Sequence, residues 1–381
     1  MKRRVVIMTE IIAPYRIPVF NALADSDEID PHVVFLSETD SSLRQWRVYK
    51  EEIRFSYEVL PSWRRRVGKY NFLLNRGLRR ALKKAKPQAI VVGGYSYFAS
   101  WSAALWARRH GVPLLLWSES NAQDKPRWQT VELLKERYAR MCRAFVAAGK
   151  SSTAYLEALG ANERSIFVAP DAVDIDYYSL KAAQAREQPE QTRRQFGLPQ
   201  RYFLNVGRMV REKGVFDLLT AYATLDEPMR SQIGLVFVGD GSARPDLTQR
   251  AAELSLPVTF CGWRHREEMP AIYALAEALV FPTYSDPWGL VVNEAMACGL
   301  PIIASKVAGC VADLVEDGGN GLVVDAGDIE GLAAALRKLA EQPKLSARFG
   351  EISVRKIQAY SPETCAEGFV KAVSFACNGT R

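Results

Sequence analysis

The chain of 381 residues is predicted to be an α/β protein of two doubly wound domains facing each other across a cleft. Three observations predict this. The length exceeds one ordinary core and suits two or three domains at about 150 residues each. Short apolar, β-branched runs alternate with helical patterns on both sides of a polar stretch. Hydrophobic residues make up 48% and charged residues 24%, the balance of a folded globular chain rather than a disordered, collagen-like or rod-like one.

In the N-terminal half the predicted strands are Arg4–Met8, His32–Leu36, Ala89–Val92, Leu114–Trp117, Ala144–Ala147 and Ile166–Val168. Each is nearly continuous in apolar character, as strands buried on both faces of a parallel sheet are. The spacing predicts a helix over Phe98–Arg109, ending at His110-Gly111. His110 beside a helix C-terminus is expected to cap carbonyls rather than to do chemistry. Residues 181–200 are polar and Pro-containing and are expected to be a linker with an exposed helix. Alternation resumes with Tyr202–Val206, Gly234–Val238, Val258–Cys261, Ala278–Phe281, Pro301–Ala304 and Gly321–Val324. The expected domains are therefore residues 1–180 and 201–360, followed by a helical tail over 361–381. In such sheets ligands bind at the carboxyl ends of the strands.

Several function classes are excluded or disfavoured. No run approaches 18 consecutive apolar residues, so no spanning helix is expected. The start, MKRRVVIMTE, has too short an apolar run for a signal peptide, so a cytoplasmic protein is expected. The cysteines (Cys142, Cys261, Cys298, Cys310, Cys365, Cys377) contain no CxxC pair, and His32, His110 and His265 are scattered. A disulfide framework or structural metal site is not expected.

Charge divides the chain. Residues 1–190 hold 30 Lys and Arg against 21 Asp and Glu, whereas residues 191–381 hold 20 against 22. Residues 61–90 contain Arg64, Arg65, Arg66, Lys69, Arg76, Arg79, Arg80, Lys83, Lys84 and Lys86 and no acidic residue. With Leu74, Leu78, Leu82 and Ala85 at helical spacing, this segment reads as a basic amphipathic helix. Its basic face is either simply solvated or rests on anionic lipid headgroups, where each cation contributes roughly 1 kcal/mol. Nucleic-acid binding would call for a recognition motif, and none accompanies it.

The chemistry-bearing pattern begins after the Tyr202–Val206 strand. There Gly207-Arg208-Met209-Val210-Arg211-Glu212-Lys213-Gly214 sets two cations in a loop before a helix. They are surface charges or a diphosphate site, since Arg can bind two oxygens at once and Lys supplies a compact charge. A second strand, ending at Phe281, leads through a Pro- and Gly-containing turn to Asp286, Gly289, Leu290 and Glu294. Asp286 suits an N-cap. Free N–H groups near Gly289 and Leu290 favour a phosphate. Glu294, a turn further on, can accept both hydroxyls of a ribose.

In order, GRxxxxKG, VGDG at Val238–Gly241, CGW at Cys261–Trp263 and the Asp286–Glu294 spacing resemble the retaining nucleotide-sugar glycosyltransferases of family 4. That family has two Rossmann-like domains, the GT-B architecture. The resemblance implies that Arg208 and Lys213 stabilise the departing diphosphate and that Asp286 contacts the donor sugar. It implies further that Glu294 holds the ribose, that the backbone of Gly289 and Leu290 meets the phosphates, and that Gly262, Trp263 and Arg264 lie at the base. Trp263 also reads as a loop aromatic packed on its domain. Asp240 of VGDG, and Tyr15 and Arg16 of Ile11-Ile12-Ala13-Pro14-Tyr15-Arg16-Ile17-Pro18, fall at substrate positions. Two departures stand out. Asp286 is one methylene shorter than the family glutamate, and Leu116-Trp117-Ser118-Glu119-Ser120-Asn121 lacks the histidine of many members. Glu119 is the candidate to touch a hydroxyl there, or else a loop carboxylate.

By resemblance the reaction retains anomeric configuration and needs no metal or resident cofactor. A UDP-sugar rather than a GDP-sugar is the expected donor. The expected acceptor is a saccharide or lipid-linked sugar, met at an anionic membrane surface through residues 64–86. The alternatives are an inactive nucleotide-sugar-binding subunit, a nucleotide-sugar epimerase, a sugar phosphorylase, or a basic adaptor.

Overall fold

The computed structural model describes residues 2–40, 47–67, 70–121 and 129–379. The chain divides into two compact units, Met1–Ala172 with Pro362–Arg381, and Val173–Ser361. Each is built on its own parallel sheet.

The strands of the first unit are β1 (Arg3–Thr9), β2 (Ile29–Phe35), β3 (Ser56–Val59), β4 (Ser62–Val67), β5 (Tyr70–Asn75), β6 (Ala89–Gly93), β7 (Leu114–Ser118), β8 (Ala144–Ala147) and β9 (Ile166–Val168). Seven form one sheet in the order β3-β2-β1-β6-β7-β8-β9, every pair parallel. Central strands such as β7 are buried along their whole length, while the edge strand β9 is part-exposed. Helices cover both faces. Ile17–Asp25 and Pro362–Asn378 pack into one core, and Leu78–Ala85, Phe98–His110 and Lys150–Ala158 into the other. The last helix seats Phe369 edge-on against Trp117 at 5.0 Å. A Cβ on its Gly368 would stand 2.3 Å from the Val168 carbonyl oxygen, so glycine permits the close approach to β9. His110 engages the Trp106 carbonyl through Nδ1 at 2.9 Å and stacks on the Trp106 ring.

The expected basic helix over 64–86 is not what forms. Residues 62–67 and 70–75 pair as antiparallel strands, β4 with β5, in which Trp63 faces Leu74 and Arg65 faces Phe72; only Leu78–Ala85 is helical. The governing period is two up to Asn75, since Leu73 is buried while Phe72 and Leu74 on either side are exposed. Gly77, at φ 86°, opens the helix in a conformation that favours glycine. Leu74 therefore does not continue the Leu78–Leu82 stripe. Lys69 lies outside the described residues.

The second unit holds β10 (Tyr202–Val206), β11 (Gly234–Val238), β12 (Val258–Gly262), β13 (Ala278–Phe281), β14 (Ile302–Ser305) and β15 (Gly321–Val324), in the order β12-β11-β10-β13-β14-β15, again all parallel. Residues 181–200, expected as a linker with an exposed helix, are helical over 181–187 and 189–196. Helices Ile175–Glu187 and Pro189–Phe196 belong to this unit and bury Ile175, Tyr178, Ala182, Thr192 and Phe196. The stretch looks linker-like in sequence because one narrow stripe suffices to dock it. Arg186 then ties it down by donating to the Ala274 and Cys298 carbonyls. Among the described residues no helix is long and apolar enough to cross a membrane.

Candidate functional site

In the second sheet the chain turns to opposite sides after β10 and β13, which lie side by side. The loops that follow them open a crevice at the carboxyl end of the sheet, the usual ligand position in open α/β sheets. They are locked together by backbone. Tyr284 N donates to Glu212 O at 2.9 Å, and Thr283 Oγ1 donates to the same carbonyl at 3.1 Å. Gly214 adopts φ 66°, and a Cβ there would lie 1.9 Å from the Pro282 carbonyl oxygen. The loop after β11 closes in from the other side, with Met209 N donating to Asp240 O at 2.9 Å. The Asp240 side chain is occupied locally. Its Oδ1 accepts from Gly241 N at 2.7 Å, and its Oδ2 pairs with Arg244 at 3.0 Å.

Lys213, on the β10 loop, crosses to the β13 loop. Its Nζ donates to Ser285 O at 2.9 Å and pairs with Asp286 Oδ2 at 2.6 Å, the two side chains being 16% and 20% exposed. Two of its three donors are thus engaged and one is left for a ligand. Asp286 Oδ1 accepts from Trp288 N at 3.2 Å. Gly289, at φ 103°, opens helix Leu290–Ala297, and a Cβ on it would meet the Phe281 ring at 2.7 Å. The N–H groups of Gly289 and Leu290 have no acceptor among the described residues, as expected at a helix start with no side-chain cap. Arg208 is exposed on the β10 loop and pairs with no carboxylate among the described residues.

Glu294 is held by two tyrosines. Tyr178 donates to Oε1 at 2.8 Å and Tyr273 to Oε2 at 2.7 Å. Burial pushes the Glu294 carboxyl above its ordinary value, against the lowering effect of both hydrogen bonds and of Arg266. Burial, then the charge of Glu294, holds both phenols well above theirs, so they stay donors. Sequence reasoning missed both tyrosines. They sit on separate helices far from the motif, and no local signal marks them. At the end of β12, Trp263 is 38% exposed, while Arg264 pairs with Glu268 at 3.1 Å and lies 5.3 Å over the Phe196 ring.

In the first unit, Tyr15 and Arg16 share a short helix after β1 and Glu119 follows β7. Arg16 Nη2 donates to Glu119 Oε1 at 2.5 Å, Nη1 donates to Thr9 Oγ1, and the guanidinium lies 4.3 Å over the Trp117 ring. Burial opposes the Arg16 charge, but Glu119, Tyr15 and Asp171 outweigh it and hold its pKa above the ordinary guanidinium value. The sequence-derived trio is thus partly brought together, around an ion pair. A neighbouring group was not foreseen: Arg64 Nη1 pairs with Glu10 at 3.0 Å and with Asp40 at 2.5 Å, and its side chain is only 17% exposed. Arg64 is therefore not part of the open basic surface. Among the described residues no group of three or more His, Cys, Asp or Glu side chains has a metal-holding arrangement.

Two family models match. Residues 21–177 fit Glycosyltransferase Family 4 and residues 188–355 fit Glycosyl transferases group 1. A D-inositol 3-phosphate glycosyltransferase of Corynebacterium jeikeium is 32% identical over 226 residues, 57% of this chain and 53% of that protein. An alpha-D-kanosaminyltransferase of Streptomyces kanamyceticus is 31% identical over 254 residues, 65% of this chain and 57% of that one. The matches span about half the length of these relatives. Among solved structures, Anabaena HepE in complex with UDP superposes with a TM-score of 0.78 at 20% identity, over 98% of this chain and 100% of that one. WaaG, a glycosyltransferase involved in lipopolysaccharide biosynthesis, superposes with a TM-score of 0.69 at 18% identity, over 97% and 99%. The chain is a member of the family 4 glycosyltransferases, and its two parallel-sheet Rossmann-like domains are those of the GT-B fold.

Proposed function

We propose that this protein transfers a sugar from a nucleoside diphosphate sugar, with a UDP-sugar as donor, to an acceptor hydroxyl with retention of configuration. The observation that carries the reading lies at the β10–β13 crevice. Lys213 reaches from the β10 loop to Ser285 and Asp286 with one donor to spare, helix Leu290–Ala297 starts just beyond them without a side-chain cap, and Arg208 on the β10 loop is exposed and pairs with no carboxylate among the described residues. That set fits a diphosphate, and Glu294 a turn away fits ribose hydroxyls. Solved relatives of this fold support the choice of base, since HepE has been seen with UDP, with UDP and glucose, and with UDP-glucose.

In the proposed step the bond from the anomeric carbon to the β-phosphate oxygen breaks and the acceptor oxygen bonds the same carbon on the same face. The departing phosphate takes the acceptor proton. Arg208, Lys213 and the two N–H groups act where charge develops on the diphosphate, which is where fixed donors lower a barrier most. Asp286, held by Lys213, contacts the sugar hydroxyls. Trp263 and Arg264 border the base, Asp240 shapes the loop that backs the phosphates, and Tyr15, Arg16 and Glu119 are the first unit's own candidates for holding a substrate hydroxyl. The chemistry needs no metal, because the cations replace it.

A thermal-shift series with UDP-, GDP- and ADP-sugars tests this, without and then with divalent metal. Wild type should be stabilised by a UDP-sugar alone and without metal, by about 2.7 kcal/mol at a hundredfold excess over Kd. Arg208→Ala should lose most of that shift. No shift with any nucleotide sugar at millimolar concentration would sink the reading.

The acceptor in this reading is a lipid-linked saccharide or glycan precursor at the cytoplasmic face of an anionic membrane. Supporting it, Trp63, Phe72 and Leu74 are 54%, 45% and 46% exposed on one face of the β4–β5 hairpin, next to exposed Arg76, Arg79, Arg80, Lys83, Lys84 and Lys86. Exposed apolar residues followed in the chain by a run of exposed cations suit a headgroup boundary. Reversing Arg79, Arg80, Lys83 and Lys84 to Glu should weaken binding to phosphatidylglycerol vesicles at least about a thousandfold and leave turnover on a soluble acceptor intact. Equal sedimentation of both proteins with the vesicles would remove the membrane from the proposal.

A further inference from the structure

We infer that Tyr178 and Tyr273 are positioning residues that turn Glu294 into a fixed two-acceptor fork and thereby make the site select a ribose over a deoxyribose. The inference rests on the nucleotide site proposed above.

The geometry is specific. Each carboxylate oxygen of Glu294 receives one phenol hydrogen, at 2.8 Å and 2.7 Å. A phenol has one hydrogen to give. Two such donors therefore commit both oxygens to acceptance, an arrangement that favours the ionised carboxylate. Each oxygen keeps a second lone-pair site, so the group still accepts two more hydrogens, and it is only partly covered. Two adjacent hydroxyls on a ring offer two donors at the spacing of the two carboxylate oxygens; a deoxyribose offers one.

The supports are rigid. Tyr178 is 3% and Tyr273 0% exposed, and their ring centroids lie 6.4 Å apart. They come from helices Ile175–Glu187 and Met269–Ala274, while Glu294 lies on Leu290–Ala297. Arg186 bridges all three helices by donating to the Ala274 and Cys298 carbonyls, and Cys298 Sγ contacts the Tyr178 carbonyl at 3.7 Å. Without the phenols, Glu294 would be free to change rotamer or take up a proton in its buried setting, and either would spoil the fork.

Calorimetric titration with UDP and 2′-deoxy-UDP tests this on wild type, Tyr178→Phe, Tyr273→Phe, the double variant and Glu294→Ala. Wild type should prefer UDP by about tenfold or more, the worth of one hydrogen bond to a charged group. Each Tyr→Phe variant should lose several-fold of that ratio and the double variant nearly all of it, with the affinity for 2′-deoxy-UDP changing less than about twofold. A purely structural role would weaken both nucleotides alike and leave the ratio intact. An intact ratio in the tyrosine variants, alongside a collapsed one in Glu294→Ala, would overturn the inference and leave the donor-site reading standing. Wild type that binds neither UDP nor any nucleotide sugar would instead overturn that reading, and the inference with it.

Discussion

Lys213→Ala should lower kcat by about a hundred- to a thousandfold while the protein stays folded. Loss of one fixed donor at a site of developing charge costs roughly 3–4 kcal/mol in the transition state. The same substitution strips Asp286 of its ion-pair partner at 2.6 Å. That carboxylate is only 20% exposed, so stability should also fall, by about 1–2 kcal/mol after allowing for solvent screening. The two effects separate in a double variant. Removing Asp286 as well relieves the uncompensated charge, so the melting temperature of Lys213→Ala/Asp286→Ala should recover towards wild type. Its turnover should not recover. Steady-state kinetics and thermal melts of the four proteins complete the cycle. A Lys213→Ala enzyme within threefold of wild-type kcat would mean that the departing charge is not stabilised at this loop.

Gly214→Ala should be among the most destabilising single substitutions in the second domain, at about 3 kcal/mol or more. Two costs combine. A left-handed backbone at φ 66° costs a residue with a Cβ roughly 1–2 kcal/mol. The added Cβ would also sit 1.9 Å from a backbone carbonyl oxygen, that of Pro282, so the β10 and β13 loops must part. Parting them pulls Lys213 from Ser285 and Asp286, so activity should fall along with stability. A denaturant titration gives the first quantity and an activity assay the second. An alanine variant within 1 kcal/mol of wild type would show that the two loops are not held at this separation. By contrast, Gly111, also left-handed at φ 67°, has nothing within 4 Å of the added Cβ. Gly111→Ala should show the conformational cost alone.

The parallel strands were largely legible in the sequence because a strand buried on both faces must be apolar at nearly every position. β8, β9, β10, β11, β13 and β15 form over the residues that their apolar runs mark out. Where burial is one-sided the same reasoning misread the chain. In the β4–β5 hairpin the exposed face carries Trp63, Phe72 and Leu74, so hydrophobicity no longer reports which side faces the core, and Leu74 falls by chance at helical spacing from Leu78. The helices over 175–196 were legible only as an exposed helix within a linker. Docked by a narrow stripe, they spend so few apolar residues that composition resembles a linker. β3 was missed for a related reason, as a short edge strand with Ser56 and Tyr57 exposed.

The candidate site divides along the same line. Arg208, Lys213, Asp286, Gly289 and Glu294 are announced as candidates by local order along the chain, because phosphate-receiving loops of open α/β sheets carry cations, free N–H groups and glycines within a few residues of a strand end. Their partners are not announced. The Lys213–Asp286 pair joins loops 73 residues apart, the Tyr178–Glu294 bond spans 116 residues, and the Arg16–Glu119 pair spans 103. Phenols and carboxylates occur everywhere in the chain; which of them meet depends on how helices far apart in sequence pack against one sheet. Local order therefore determined the family and the candidate groups carried by the β10 and β13 loops, since both follow from covalent neighbours. The state in which those groups are held, charged or shared, oriented or loose, was decided by packing alone, because burial and hydrogen-bond geometry arise only when distant segments are brought together.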